Sequence, residues 1–274
     1  MTVKRSASGR RSIELEVEVP GTPEEVWQAI ATGPGISGWF FPAEVEERPG
    51  GRVVWHMEPG LDAPGAITAW EPPRRLALEE PRGWRPGAPA LATEWTIEPR
   101  AGGTCVVRLV HSLFTDTGDW DNELEGIEAN WPGFFGILQL YLKHFRGQRA
   151  ASIRATGSAS GTARDAWTAL LDALGIADTA AGRPWRTPAG GAPPLSGTVE
   201  RIVEGTLPHA LLRIDTPLPG IATPIVYSMD DRVMTSLGIY LYGDDAPAVA
   251  AREDPAWQAW MQHRFPQPET KETT

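Results

Sequence analysis

The chain has 274 residues, is 41% hydrophobic and carries a formal net charge of −10, with a sequence pI of about 5.1. This length accommodates one large domain or two ordinary ones, and an acidic chain without a long basic run is a poor candidate for binding nucleic acid or an anionic membrane. No apolar run approaches the roughly 20 residues of a membrane helix, and no apolar stretch follows the basic start, so we expect a cytoplasmic protein without membrane insertion.

The first element is a strand. From Ile13 to Val19 apolar residues alternate with glutamates, which predicts a strand with one solvent-facing side. Thr22 then occupies a helix-capping position, with Pro23 first in the helix and Glu25 third, the outline of a capping box. We expect this helix to end at the Gly-Pro-Gly of residues 33–35, before a short second helix or turn.

Strand signals dominate the next part of the chain. They are carried by GGRVVWHMEPG (residues 50–60), GAITAWEPPRRLALEE (65–80) and LATEWTIEPRAGGTCVVRLVHSLF (91–114). The Pro-Pro pair and the Ala-Gly-Gly triplet mark turns within the second and third segments. These segments predict a meander of antiparallel strands.

A long helix is expected after the meander. Residues 119–147 carry apolar side chains at helical spacing, while Pro132 and two glycines interrupt the pattern, so we expect a kink or break near Trp131. An apolar-faced helix after such strands predicts an α+β fold in which a curved antiparallel sheet wraps around the helix.

The pattern then restarts. Ser12, Gly21, Thr22 and Trp27 each have an identical counterpart at a constant offset of 140 positions. A second capped helix, a Pro/Gly/Ala-rich loop and weaker echoes of the strand pairs follow in the same order. PAWQAWMQHRF (residues 255–265) predicts a final helix, shorter than the first long one. These parallels indicate a duplicated domain whose second copy has lost strand and helix material.

The segments EVPGTPEEVWQAI, GGRVVWHM, GAITAWEPPRRLAL, GGTCVVRLVHS and WDNELEGIEANWPGFFGILQLYL resemble the SRPBCC superfamily, whose fold is also called START-like or helix-grip. The most similar branch is the one named after the activator of the heat-shock-protein-90 ATPase. The resemblance covers about residues 11–147, and the second half resembles a degenerate second copy, as in some two-part bacterial members. The superfamily includes lipid carriers, hormone receptors and cyclases, so these motifs indicate a fold rather than a reaction.

Four parts of the chain follow from this resemblance. We expect a disordered basic tail (1–11), a START-like helix-grip domain with a cavity (12–149), a degenerate START-like second domain (150–266) and a disordered tail (267–274). The second domain has few chemical candidates, so we expect it to be structural.

The resemblance implies a deep, mostly apolar cavity between the curved sheet and the long helix of the first copy. The 12 tryptophans of the chain also indicate a large apolar interior or pocket. The candidate ligand-binding residues are Trp39 and Phe40 at the mouth, Trp55, Met57, Trp95, Ile97 and His111 on the strands, and Trp131, Phe135 and Leu138 on the helix. The alternative is that these side chains simply fill the interior, since close packing is the default there.

Polar residues near this cavity are the candidates for chemistry. His111 ends a strand, where it either acts as a general base or holds a ligand hydroxyl, or is an ordinary strand-end histidine. Asn130 and Tyr141 on the long helix are the other catalytic candidates. The single cysteine, Cys105, lacks an obvious activating neighbour, and the histidines lack metal-ligand spacing, so we predict no metal site and no cofactor.

The leading hypothesis is a non-enzymatic carrier or sensor that binds a small hydrophobic or aromatic molecule in the first domain. One alternative is a cyclase/aromatase- or lyase-type enzyme that uses the same cavity, with His111, Asn130 and Tyr141 as catalytic residues. The other is a co-chaperone-like protein-interaction module, which predicts a large apolar surface patch. A homodimer is left open.

Overall fold

The computed structural model describes residues 4–5, 11–58, 60–81, 87, 89–115, 120–229 and 232–266. The chain divides into two compact units, Met1–Gly147 and Gln148–Thr274. Each unit contains an antiparallel sheet and ends its described part with a long helix, as the α+β duplication predicts.

The first unit is built on one antiparallel sheet. Its strands are β1 (Lys4–Arg5), β2 (Arg11–Pro20), β3 (Ala43–Val45), β4 (Arg52–Glu58), β5 (Leu61–Glu71), β6 (Arg75–Glu80), β7 (Leu91–Arg100) and β8 (Thr104–Leu113). They lie in the order β1-β2-β8-β7-β6-β5-β4-β3, so the predicted meander is continuous from β3 to β8. Alternation along each strand sends one set of side chains into the interior and the other outward.

Three residues of the segment expected as a disordered tail lie in strands of the sheet. Lys4 and Arg5 pair with Ser12 and Arg11, and Arg11 is itself the first residue of β2. Residues 1–3, 6–10 and 267–274 lie outside the described residues.

Two short helices follow β2, namely α1 (Pro23–Ala31) and α2 (Gly33–Ser37). The capping box is formed, because Thr22 Oγ1 accepts from the Glu25 backbone N–H at 3.3 Å and a Glu25 carboxylate oxygen accepts from the Thr22 N–H at 2.8 Å. The first helix ends at Ala31, just before the Gly-Pro-Gly sequence expected to end it, but the short second helix begins within that sequence rather than after it. The reason is Thr32, whose hydroxyl accepts from the Gly35 N–H at 3.1 Å and so caps a new helix.

The long helix α3 (Asp121–His144) runs through Pro132, so of the expected kink or break near Trp131 the break is wrong and the kink stays a prediction. Proline removes a single backbone donor, and the helix continues because its next turns are anchored in the interior. Trp131, Phe135 and Leu138 on this stretch are all at least nine-tenths buried.

The second unit repeats this plan with fewer elements. These are β9 (Ala150–Ala159), α4 (Ala163–Leu174), β10 (Pro184–Arg186), β11 (Ser196–Val203), β12 (His209–Thr216), β13 (Gly220–Met229), β14 (Arg232–Tyr242) and α5 (Ala246–Arg264). The strand order is β10-β11-β12-β13-β14-β9, so β9 pairs with β14 as β2 pairs with β8. Between α4 and β11, residues 175–195 contain a single short strand, β10, where the first unit has α2, β3 and β4.

Local details of the two units also correspond. Gly21 and Gly161 both have positive φ, 125° and 96°, and the threonine after each closes a capping box. In the first unit the Trp39 indole N–H donates to the Ala29 carbonyl at 2.9 Å, and in the second Trp185 donates to the Leu174 carbonyl at 2.8 Å. Each tryptophan thus ties the chain that follows the capped helix back to that helix.

The last helix is longer than predicted, because α5 begins at Ala246 rather than near Pro255. Pro255 lies within it, as Pro132 lies within α3. Its carboxyl end packs on β9, where the Ser158 N–H donates to the Phe265 carbonyl at 3.1 Å. With 19 residues against 24, α5 is shorter than α3, as expected.

Candidate functional site

A small cavity lies in the interior of the first unit, between the sheet, the α1–α2 segment and α3. Its volume is about 20 Å³, which is room for about one water molecule. The lining residues are Ile30, Ile36, Trp39, Phe40, Trp55, Met57, Leu78, Glu80, Thr93, Trp95, His111 and Trp131. The tryptophans therefore fill most of the space between sheet and helix.

The register of the sheet explains why the strand residues of this site meet. Leu78 on β6 lies opposite Thr93 on β7, Thr93 lies opposite His111 on β8, and His111 lies opposite Ile13 on β2. Because side chains directly opposite one another share a face, this row crosses the interior side of the sheet. Glu80 lies two positions beyond Leu78 and therefore faces the same way.

Trp131 of α3 is the centre of the aromatic part of the site. Its ring stacks on Phe40 at 5.3 Å and 11° between planes, and meets Trp95 edge-on at 5.3 Å. It also lies 6.4 Å from Trp39 and 5.3 Å from Phe135. Edge-on and offset ring contacts at such distances are favourable beyond the area that they bury.

Glu80, Thr93 and His111 are polar side chains of the lining, and this group is called the polar end of the cavity. Glu80, Thr93 and His111 are 2%, 4% and 1% exposed. Thr93 Oγ1 and His111 Nδ1 share a hydrogen bond of 2.9 Å. Burial lowers the pKa of His111 to about 3, so the imidazole is neutral at pH 7.

The structure brings seven of the ten predicted ligand-binding residues to the cavity wall: Trp39, Phe40, Trp55, Met57, Trp95, His111 and Trp131. Ile97, Phe135 and Leu138 do not line it, although all three are buried. That any of these residues binds a ligand stays a prediction. Glu80 and Thr93 were missed, but strand alternation gives a signal for both, because each occupies an interior position among leucines and tryptophans.

The three catalytic candidates are not assembled at this cavity. Asn130 is exposed, and its side-chain amide donates to the Gly126 carbonyl of the same helix at 2.8 Å. Tyr141 is buried outside the lining; burial raises the pKa of its hydroxyl, and a hydrogen bond with the Gly147 backbone opposes this shift. Of these three candidates, only His111 lines the cavity.

The buried histidine predicts a pH dependence of stability. Its pKa is about 3 in the folded chain against 6.5 ordinarily, so the unfolded chain binds a proton more readily across that interval. The free energy of unfolding should therefore fall as pH falls below 6.5, with a slope from this group approaching about 1.4 kcal/mol per pH unit. Urea unfolding of the native chain and the His111→Asn variant between pH 7 and 5 measures this slope.

The matched control for that experiment is His56→Asn. His56 is 39% exposed in its side chain and lies 2.8 Å from an Asp62 carboxylate oxygen. The free energy of unfolding of the His111 variant should change less with pH than that of the native chain. The His56 variant should not show this reduced dependence on pH. Equal slopes for the native chain and the His111 variant would contradict a neutral, buried imidazole.

The part of the chain that the structure describes has neither a group of metal-ligating side chains nor a helix that could span a membrane. There, no three His, Cys, Asp or Glu side chains are grouped so as to hold a metal ion. Nor does any helix within those residues have both the length and the apolar character needed to cross a bilayer.

Residues 20–143 match the family described as "Activator of Hsp90 ATPase homolog 1-like protein". No curated protein matches the chain. The chain is similar to the solved structure of CalU16 from Micromonospora echinospora, at 22% identity and a TM-score of 0.42, over 52% of this chain and 83% of that one.

Two solved structures are similar over nearly the whole chain. DynU16, from the dynemicin biosynthetic locus, is 18% identical with a TM-score of 0.43, over 92% of this chain and 96% of that one. The di-domain ARO/CYC BexL, from the BE-7585A biosynthetic pathway, is 13% identical with a TM-score of 0.44, over 94% and 99%.

Proposed function

Because residues 20–143 match the activator of Hsp90 ATPase homolog 1-like family, whose fold is START-like, we propose that the first unit binds a small hydrophobic or aromatic molecule between its sheet and α3. In this role the protein is a non-enzymatic carrier or sensor. The observation that carries the proposal is the aromatic cavity with a polar end formed by Glu80, Thr93 and His111.

The composition of the wall supports a flat, apolar ligand. Four of the lining residues are tryptophans, Trp39, Trp55, Trp95 and Trp131, and they come from three separate parts of the fold. Ligand sites in proteins combine such apolar walls with a few placed polar groups. Rings meeting at edge-on and stacked angles present several faces on which another ring can pack.

Ligand entry requires the rings to move apart. A cavity of about 20 Å³ is far smaller than the about 300–1,000 Å³ of a drug-sized ligand site. Beside the cavity, the rings of Phe40, Phe41 and Phe134 contact one another, with centroids 4.6 to 6.0 Å apart. They connect the segment after α2 to α3, so we expect binding to separate these two elements while the sheet keeps its hydrogen bonds.

The other two hypotheses have less support. The enzyme hypothesis named His111, Asn130 and Tyr141 as candidates for moving protons, and of these only His111 lines the cavity. The interaction hypothesis relied on a large apolar patch. Among the described residues of the first unit, the exposed large apolar side chains are Leu61 on β5 and Phe114 after β8, and β6 and β7 lie between those strands.

The proposal is tested by fluorine NMR on the full chain labelled with 5-fluorotryptophan. A bicyclic aromatic probe such as 2-methylnaphthalene should shift the resonances of the four lining tryptophans, each assigned by its Trp→Phe variant. Trp167, Trp185 and Trp257 are buried in the second unit and are the internal controls. Unchanged resonances of the lining tryptophans at probe saturation, or equal shifts in both sets, would contradict the proposal.

A further inference from the structure

The polar end of the cavity has a composition that restricts what a ligand can carry there. Apart from tryptophans, the polar side chains of the lining are the carboxyl group of Glu80, the hydroxyl of Thr93 and the imidazole of His111. All three are more than nine-tenths buried, so a group placed beside them is largely removed from water. A polar group in that position is favourable only where it forms hydrogen bonds.

The imidazole and the carboxyl group together suit a hydroxyl. Nδ1 of His111 shares a hydrogen bond with Thr93 Oγ1 at 2.9 Å, which fixes the orientation of the imidazole ring. The second polar atom of the ring is Nε2. A neutral imidazole has one donor and one acceptor nitrogen. Whether Nδ1 donates to the Thr93 hydroxyl or accepts from it decides whether Nε2 is the acceptor or the donor. A ligand hydroxyl both donates and accepts, so it satisfies either tautomer and can also donate to a Glu80 carboxyl oxygen.

Charge argues against an acidic ligand. A carboxylate at this end would lose its hydration in an apolar space and would lie beside the carboxyl group of Glu80. The imidazole is neutral at pH 7 and does not compensate such a charge. Arg11 is buried on the same face of the sheet, but it does not line the cavity.

Resting on the ligand-binding role proposed above, we infer that this cavity selects uncharged aromatic molecules that carry a hydroxyl group and rejects aromatic carboxylates. The ring of the ligand packs among the tryptophans, and its hydroxyl lies between His111 and Glu80. Thr93 is a positioning residue, because it acts through the imidazole that it orients.

Three matched probes test the inference on the full chain at pH 7, by ligand-observed fluorine NMR: 6-fluoro-2-naphthol, 2-fluoronaphthalene and 6-fluoro-2-naphthoate. They share one ring system and differ in a hydroxyl, a hydrogen or a carboxylate. The naphthol should bind at least about tenfold more tightly than fluoronaphthalene, since its hydroxyl forms hydrogen bonds with buried polar groups that a hydrogen atom in its place cannot form. The naphthoate should bind at least about tenfold more weakly than fluoronaphthalene.

Variants separate the polar end from the rest of the wall. Thr93→Val should reduce the preference for the naphthol over fluoronaphthalene to about threefold or less, while Thr93→Ser, which keeps a hydroxyl, should retain it. Glu80→Gln should raise the affinity for the naphthoate. The matched controls are Thr96→Val and Glu79→Gln, which change the same residue types on the same two strands at positions facing away from the cavity.

Each outcome decides one of the two proposals. Equal binding of the three probes would overturn the inference and leave the ligand-binding proposal standing. An effect of Thr96→Val as large as that of Thr93→Val would also overturn it. Failure of all three probes to bind would contradict the ligand-binding proposal itself. Thermal unfolding of each variant identifies any substitution that acts by unfolding the first unit. If Thr93→Val is such a substitution, the inference is decided by whether Thr93→Ser retains the preference for the naphthol.

Discussion

Replacing Trp131 with alanine should lower the free energy of unfolding of the first unit by about 3–5 kcal/mol. The residue is 3% exposed and contacts rings of the sheet, of the segment after α2 and of its own helix. Its loss removes the contacts at the centre of the cluster and leaves a ring-sized void. Because that void is lined by aromatic groups, millimolar indole should recover part of the lost stability in this variant and much less in the native chain.

The measurement is urea unfolding of the full chain followed by circular dichroism, with and without indole. Trp260→Ala is the matched control, because Trp260 is only partly buried on α5 of the second unit. Its variant should lose less stability and should not respond to indole. A Trp131 variant as stable as the native chain would contradict the central position of this ring, and equal effects of indole on all three proteins would show that its action is not at the cavity.

The second large effect is expected at Gly35. A Cβ at this position would overlap the backbone carbonyl oxygen of Gln28, a group that cannot rotate away. Gly35→Ala should therefore force α1 and α2 apart and lower the free energy of unfolding by about 3 kcal/mol. The same displacement should move Trp39 and Phe40, which follow α2, and so weaken binding of aromatic probes.

Gly126→Ala is the control for Gly35→Ala, since Gly126 is also helical and a Cβ there would have no neighbour within 4 Å. This variant should be unchanged or more stable by about 0.5–1 kcal/mol, because alanine is the better helix former. Denaturant unfolding and probe titration of the two variants check both predictions. Similar stability of the two proteins would mean that α1 and α2 are not in the close contact that the structure gives.

Much of this fold could be predicted because its signals are local. The alternation of Ile13 to Val19, the cap at Thr22 and its copy at Thr162 each depend on neighbouring residues, and the structure confirms them. The errors are at prolines and glycines. Pro34 lies in a helix that Thr32 caps, while Pro132 and Pro255 lie inside helices that continue. Whether such a helix breaks depends on tertiary packing, which local propensity does not contain.

The site could be predicted only in part, for a related reason. Tryptophans at interior positions of a strand or helix are visible in sequence, so most of the wall was identified. The pairing of Thr93 with His111, which are 18 residues apart, depends on the register of β7 and β8. The size of the cavity depends on how neighbouring rings fit together, and sequence patterns contain no such information.

The most direct test of the ligand-binding claim is native mass spectrometry of the full chain as purified from cells, compared with its denatured mass. The account predicts a small molecule of defined mass that is retained in the native protein and lost on denaturation. The Leu78→Phe variant, which adds a larger side chain at a lining position, should lose this molecule while remaining folded. Identical native and denatured masses, or a bound molecule that the Leu78 variant retains unchanged, would contradict the claim that this cavity is a ligand site.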